Sequence, residues 1–363
     1  MNRFIRFILG LGVASSLAAH AFATETIEPY HDRFGRSQPL IAIIGENSGT
    51  ELTDFAIPYG VLARSGAAQV TTVATQPGAL TMRPALKIQP DATVQQFDSK
   101  YPEGADYVIV PAVVKRDDPE LLRWVAAQGA KGATIVSICD GALVVAGAGL
   151  LKGHRATAHW ATESHRKEHF PDTQWISNMR YVADGKVVSS AGISAAIPTS
   201  LALLEAIAGH ARAAAVAQEI GVDDWSTSHD SDSFHPRMGN LTAYATMYTN
   251  AWFHASDSVG VPLATGMDEI ALAFTADAWS RTSRSQAYGV SASTAAVRSR
   301  NGLNVLPERT ASGADAPSMM LPAFDATPSG KELDKVLAEV AQRYGQRTAY
   351  RVALEFEYPA YQP

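Results

Sequence analysis

One cysteine stands in 363 residues, and its neighbours are those of a reactive site. Cys139 falls in Ser137-Ile138-Cys139-Asp140-Gly141-Ala142-Leu143, where an apolar run ends and a helix of small residues begins. A nucleophile on such a strand-to-helix turn projects into the crevice at the carboxyl end of an open α/β sheet. The helix starting near Gly141 aims its N-terminal N–H groups at the sulfur, which favours thiolate over thiol, and the N–H groups around Cys139 and Asp140 could hold an oxyanion. A lone thiol also serves as a buried apolar filler, so the residues by themselves leave both roles open.

The elements that must position this turn are legible as alternating strand and helix patterns. Leu40–Ile44, Val70–Ala74, Tyr107–Pro111 and Thr134–Ile138 read as strands, and Val187–Ser190 as a late one. Asp54–Ala63, Pro119–Ala127 and Pro198–Ala208 read as helices between and after them. This is the pattern of a flavodoxin-like, doubly wound parallel sheet occupying residues 38–209. Residues 210–257, rich in Asp, Ser, His and Gly after Val222, read as a linker or long loop. A partial second α/β repeat then spans 258–358: Gly49-Thr50-Glu51-Leu52 returns as Gly266-Met267-Asp268-Glu269, and Leu86–Asp91 as Leu303–Glu308, both 217 residues on. The repeat has no counterpart of the strand ending at Cys139, and Ala271 falls where the first copy has Asp54. It is expected to pack on the first domain in place of a dimer partner, the alternative being a homodimer.

Composition narrows the functional classes. Lys+Arg 30 against Asp+Glu 36 gives a formal charge of −6, which disfavours a general grip on nucleic acid. Arg3 and Arg6, the apolar run Phe7–Ala19 and Ala21-Phe22-Ala23 form a secretory signal pattern over residues 1–23. The expectation is a periplasmic or secreted protein with no stable membrane anchor after cleavage. His165-Arg166-Lys167-Glu168-His169 fits a zinc-peptidase spacing, and His229, Asp230, Asp232 and His235 cluster in a loop, but a charged helix and a solvated loop explain both. Gly147 and Gly149 lack the remainder of a dinucleotide fingerprint. No metal and no cofactor are expected.

Residues 137–160, Gly49–Pro58 and Ser189–Ser194 together resemble the ThiJ/PfpI superfamily, a class I glutamine amidotransferase-like fold, in the form found at the front of AraC-type regulators. The resemblance implies a nucleophile at Cys139, a carboxylate against the sulfur at Asp54, and a histidine at His159 as general acid or base. An acid in a first helical turn and a histidine beside Trp160 also have purely structural uses. The chain departs from the family at Pro111-Ala112-Val113, where many members have Pro-Gly-Gly; the backbone N–H at Ala112 survives as an oxyanion donor. Asp140 replaces the histidine that protease-like members carry after the nucleophile, which argues against a protease. Residues 221–363 hold 11 Lys+Arg and 16 Asp+Glu, unlike a basic DNA-binding module. The expected function is an exported cysteine-dependent hydratase, lyase or amidohydrolase acting on a small electrophilic metabolite. A ligand-binding or redox-sensing module without turnover is the alternative.

Overall fold

A computed structural model of the chain describes residues 25–361; the signal pattern at 1–23 lies outside them. The first copy runs β1 (Leu40–Gly45), α1 (Leu52–Arg64), β2 (Gln69–Ala74), β3 (Ala92–Thr93), β4 (Tyr107–Val110), α2 (Pro119–Ala130), β5 (Thr134–Ser137), α3 (Gly141–Gly147), β6 (Tyr181–Asp184), β7 (Val187–Ser190) and α4 (Ala196–Ala208). The sheet order is β6-β7-β5-β4-β1-β2-β3, parallel except for the β6-β7 pair. Leaving out the two edge strands β6 and β3, this is the flavodoxin-like order, with its crevice at the carboxyl ends of β1 and β4. β1 and β4 are buried along their whole length, as central parallel strands covered on both faces must be.

The remainder continues with α5 (His210–Ile220), α6 (Leu241–Phe253), β8 (Asp257–Pro262), α7 (Glu269–Ser280), β9 (Ser285–Val290), β10 (Met319–Met320), α8 (Glu332–Tyr344) and α9 (Gln346–Glu355). β9-β8-β10 form a second parallel sheet, repeating the order of β2-β1-β4. β8 and α7 begin 217 residues after β1 and α1, and the hairpin strands Val297–Arg298 and Asn304–Leu306 begin 217 after Leu80–Arg83 and Lys87–Gln89. The two copies meet across an approximate two-fold axis. Ile88 lies opposite Val305, its own counterpart, in an antiparallel pair. Arg64 bonds Asp268 while Arg281 bonds Glu51, the same contact with the copies exchanged. Likewise Gly60 packs against Ile270, where a β-carbon would come within 2.7 Å of Ile270 Cγ1, and Thr53 donates to Asp277 at 3.1 Å.

α1 is buried on nearly every face because it is enclosed by the sheet, α4 and α7. Helices apolar all round belong in such positions. One continuous apolar core contains Ile57 and Val61 of α1, Ile270 and Ala273 of α7, and Phe356 after α9.

The expectation of a linker at 210–257 is corrected, since two helices lie there. α5 buries Ala213, Val216, Ala217 and Ile220, an i, i+3, i+4, i+7 stripe against α4 that its small side chains disguise. α6 buries only Ala243 and Asn250, a periodicity too sparse to read. Among the described residues no helix is long and apolar enough to cross a membrane.

Candidate active site

β5 ends at Ser137, and the chain turns at Cys139 with φ 55°, a left-handed conformation that non-glycine residues avoid at a cost of about 1–3 kcal/mol. The turn is held by the Cys139 N–H to Ser190 Oγ at 3.1 Å, and by Ile138 N–H to the Val110 carbonyl at 3.0 Å. Gly141 is required by close approach: a β-carbon there would fall 1.9 Å from the Val110 carbonyl oxygen. Cys139, 6% exposed, lies at the inner end of a cleft of about 480 Å3 that also meets Glu51, Arg83, Arg116, His159, Trp160 and Arg351.

Asp54, in the first turn of α1, is fully buried. Its Oδ2 accepts the Ala112 N–H at 3.1 Å, whereas Oδ1 is buried with no hydrogen-bond partner. Burial, reinforced by the Glu51 charge, pushes the carboxyl well above the ordinary carboxylate range, outweighing the Ala112 bond and Arg281. Burial also pushes the Cys139 thiol well up, and the charges of Asp54, Asp140, Glu51 and Glu357 act in the same direction. Against the expected thiolate, burial and the surrounding carboxyls favour the protonated form of both groups, opposing the dipole of the seven-residue α3.

The other expected residues are placed as follows. His159 caps the short turn Trp160–Thr162: Nδ1 accepts the Ala161 N–H at 3.2 Å, which leaves Nε2 as the protonated nitrogen, 3.1 Å from the Glu355 carbonyl. Both nitrogens thus have partners, and His159 joins the cleft wall that it shares with Cys139 to the C-terminal tail. The Ala112 N–H is committed to Asp54, and the Gly141 N–H to the Ile138 carbonyl at 2.9 Å. Among the described residues the Asp140 N–H keeps no partner, so of the three expected oxyanion donors it alone is free. The Asp140 side chain accepts from Thr162 Oγ1 at 2.7 Å, and burial raises its carboxyl. Ser194 donates to the Glu357 carbonyl at 2.6 Å and is no nucleophile. His165 and His169 stack at 4.0 Å, and no cluster of three metal-ligating side chains occurs among the described residues.

The sequence reading missed Glu357 and the arginines of the second copy. Glu357, wholly buried at φ 51°, accepts from the Trp160 N–H at 2.8 Å, the Gly192 N–H at 3.0 Å and His229 Nε2 at 2.8 Å. Burial raises this carboxyl, but the His229 bond, the neighbouring His159 and His229 rings and the Trp160 N–H outweigh it and hold the group below its ordinary value. His229 is accordingly a buried partner, not part of a solvated loop. Arg281 reaches Glu51 and Asp277 and lies 3.6 Å from Glu355, while Arg351 bonds Glu355. These contacts join residues up to 230 positions apart, and no local spacing announces them.

Comparison with known proteins agrees with this frame. Residues 40–206 match the DJ-1/PfpI family. An isonitrile hydratase of Pseudomonas putida is 30% identical over 161 residues, 43% of this chain and 67% of the relative. The HTH-type transcriptional regulator CdhR of Pseudomonas aeruginosa is 33% identical over 126 residues, and the chain spans only 36% of its length. Among solved structures, a THiJ/PfpI family protein of Pseudomonas syringae is 25% identical with a TM-score of 0.46, over 52% of this chain and 76% of that one. Drosophila melanogaster DJ-1beta is 22% identical with a TM-score of 0.47, over 52% of this chain and 100% of its own. With its flavodoxin-like sheet order and its cysteine on the turn after β5, this chain belongs to the DJ-1/PfpI family.

Proposed function

We propose that this protein is an exported enzyme in which Cys139 attacks an electrophilic carbon of a small metabolite, with hydration of an isocyanide as the best-supported reaction. The observation that carries the reading is a strained turn cysteine in the cleft wall, with a fully buried acid behind it, Asp54, whose Oδ1 has no partner and whose charge acts on the thiol. The isonitrile hydratase relative supports the reaction class.

Burial raises both the thiol and the Asp54 carboxyl, which suits an addition in which both protons move. As the sulfur bonds to the isocyanide carbon, Asp54 gives its proton to that carbon, and the carboxylate so formed takes the thiol proton. The product is a thioimidate on Cys139. Water then adds to its carbon, the C–S bond breaks, and the water's two protons end on nitrogen and sulfur, releasing a formamide. The free Asp140 N–H is the donor available to charge developing in the second step. The second copy takes the place of a partner subunit in this reading, supported by the symmetric register of Ile88 with Val305. Export rests on the N-terminal residues and is tested by N-terminal sequencing of the periplasmic protein.

The decisive experiment is incubation of the full chain with a simple isocyanide, following formamide by NMR. Formation by the natural chain and its loss in Cys139→Ala support the reading; no formamide from any isocyanide overturns it. A binding module without turnover is favoured by one observation, that two of three expected oxyanion donors and both His159 nitrogens are committed. Saturable binding without product identifies that outcome.

A further inference from the structure

Arg351 sits in the wall of the cleft that holds Cys139 and comes from the second copy. It is 8% exposed; Nη2 engages Glu355 and Met247 Sδ, and its guanidinium lies 4.9 Å from the Tyr244 ring. Nε and Nη1 are buried with no acceptor. Arg281 beside it is different, because its three nitrogens face Asp277, Glu51 and Glu355. Glu355 is shared between the two guanidiniums, which leaves Arg351 the under-compensated one. Desolvated N–H donors on a cation are costly until an acceptor meets them.

The mouth repeats the pattern. Arg83 and Arg116 both line the cleft, and among the described residues neither side chain has an ion pair or a hydrogen bond. The lining thus carries four arginines, Arg83, Arg116, Arg281 and Arg351, against three carboxyl side chains, Glu51, Asp140 and Glu355. With Asp277, which pairs with Arg281, the count is even, so the free positive charge is local, at Arg83 and Arg116 and on the unmet side of Arg351. Local positive charge in a cleft of about 480 Å3 draws in ligands of the opposite sign.

We propose that the ligand of this cleft is a small organic acid, its carboxylate received by the free N–H groups of Arg351 and drawn in by Arg83 and Arg116, with its electrophilic end toward Cys139. The placement toward Cys139 rests on the function proposed above, whereas the anion site itself does not. The second copy then selects the substrate while the first supplies the chemistry.

Calorimetric titration of Cys139→Ala, which cannot react, with isocyanoacetate and with its methyl ester tests the proposal. The acid is expected to bind about tenfold to a hundredfold more tightly than the ester, the range of one charge-assisted hydrogen-bonded contact, and to lose that preference in high salt. In the Arg351→Met background the two should bind alike, and Arg351→Lys should restore part of the preference. If Arg351→Met does not fold, the exposed pair Arg83→Gln with Arg116→Gln should cut the preference several-fold. Equal binding of acid and ester, absent binding of the acid, or a preference untouched by these changes overturns the proposal. A preference for the acid without turnover by the natural chain leaves the anion site standing and removes the enzymatic reading.

Discussion

In the first copy the turn into α1 brings Glu51 and Asp54 to the carboxyl end of the sheet; 217 residues later the same turn brings Asp268 and Ala271. Asp268 caps its helix, accepting the Ile270 and Ala271 N–H groups, and also holds Arg64. Glu51 makes no side-chain cap and instead reaches Arg281 in the cleft. A cap contributes about 1 kcal/mol to a helix, so the second copy keeps a stabilising contact that the first forgoes at its reactive end. The second copy also stops after three strands, and α8, α9 and the tail through Glu357 follow where the first copy continues into β5 and the cysteine turn. A shared backbone frame therefore does not dictate shared chemistry. One copy carries Cys139 and Asp54, and the other supplies Arg281 and Arg351 to the same cleft region.

The largest effect that would break this division is on Cys139. Cys139→Ser should lower isocyanide turnover at least about a thousandfold, about 4 kcal/mol in the barrier, measured by formamide release at saturating substrate. If the second copy carried its own site, activity would persist.

Next comes the tail. Glu357→Leu removes the acceptor of two backbone N–H groups and of His229, and should cost about 3 kcal/mol in urea unfolding. Because the folded-state value of Glu357 is held below its ordinary one, its stabilisation is present above that ordinary value and lost as pH falls through the lowered one. Glu357→Gln should flatten this acid limb.

The two-fold-related ion pairs give a sharper contrast. Arg64→Met and Arg281→Met should each cost about 1–2 kcal/mol in the same unfolding measurement, since both guanidiniums are largely buried. Only Arg281→Met should move the pH profile of Cys139 alkylation, and to higher pH, because it leaves Glu51 uncompensated beside the thiol. An equal shift from Arg64→Met would show that the two ends are electrically equivalent.

The smallest expected effect is that of Asp54→Asn. An ionised Asp54 opposes ionisation of the thiol, so Asp54→Asn should lower the alkylation midpoint. Asp54 and Cys139 are both raised on folding, so the stability they contribute is present at low pH and lost as pH rises through their folded values. Asp54→Asn should therefore reduce alkaline destabilisation in a pH series of thermal melts. An unmoved thiol profile would separate the acid from the sulfur.

The sheet and the turn were legible because their causes are local. Apolar runs such as Leu40–Ile44 and a small-residue helix start after Cys139 are adjacent in sequence, and the 217-residue offset is a self-comparison of the chain. Asp54 and His159 were nominated by resemblance, and the two fared differently. Asp54 is fully buried and its charge acts on the thiol, while the nitrogens of His159, twenty residues past the cysteine, meet its own turn and Glu355. α5 and α6 were missed because an alanine stripe and a two-residue buried face carry little periodic signal.

The sequence by itself determined that a lone thiol ends a buried strand, that an acid opens the first helix, and that half of the frame recurs. Only the tertiary structure decided that burial and carboxyl groups raise the thiol, that Glu357 meets His229 in the interior, and that Arg351 is left with unsatisfied donors. Strand and helix patterns arise from neighbours a few residues apart, and the chain order records them. Proton affinity depends on desolvation and on charges brought together by folding, and the contact from Trp160 to Glu357 spans 197 positions.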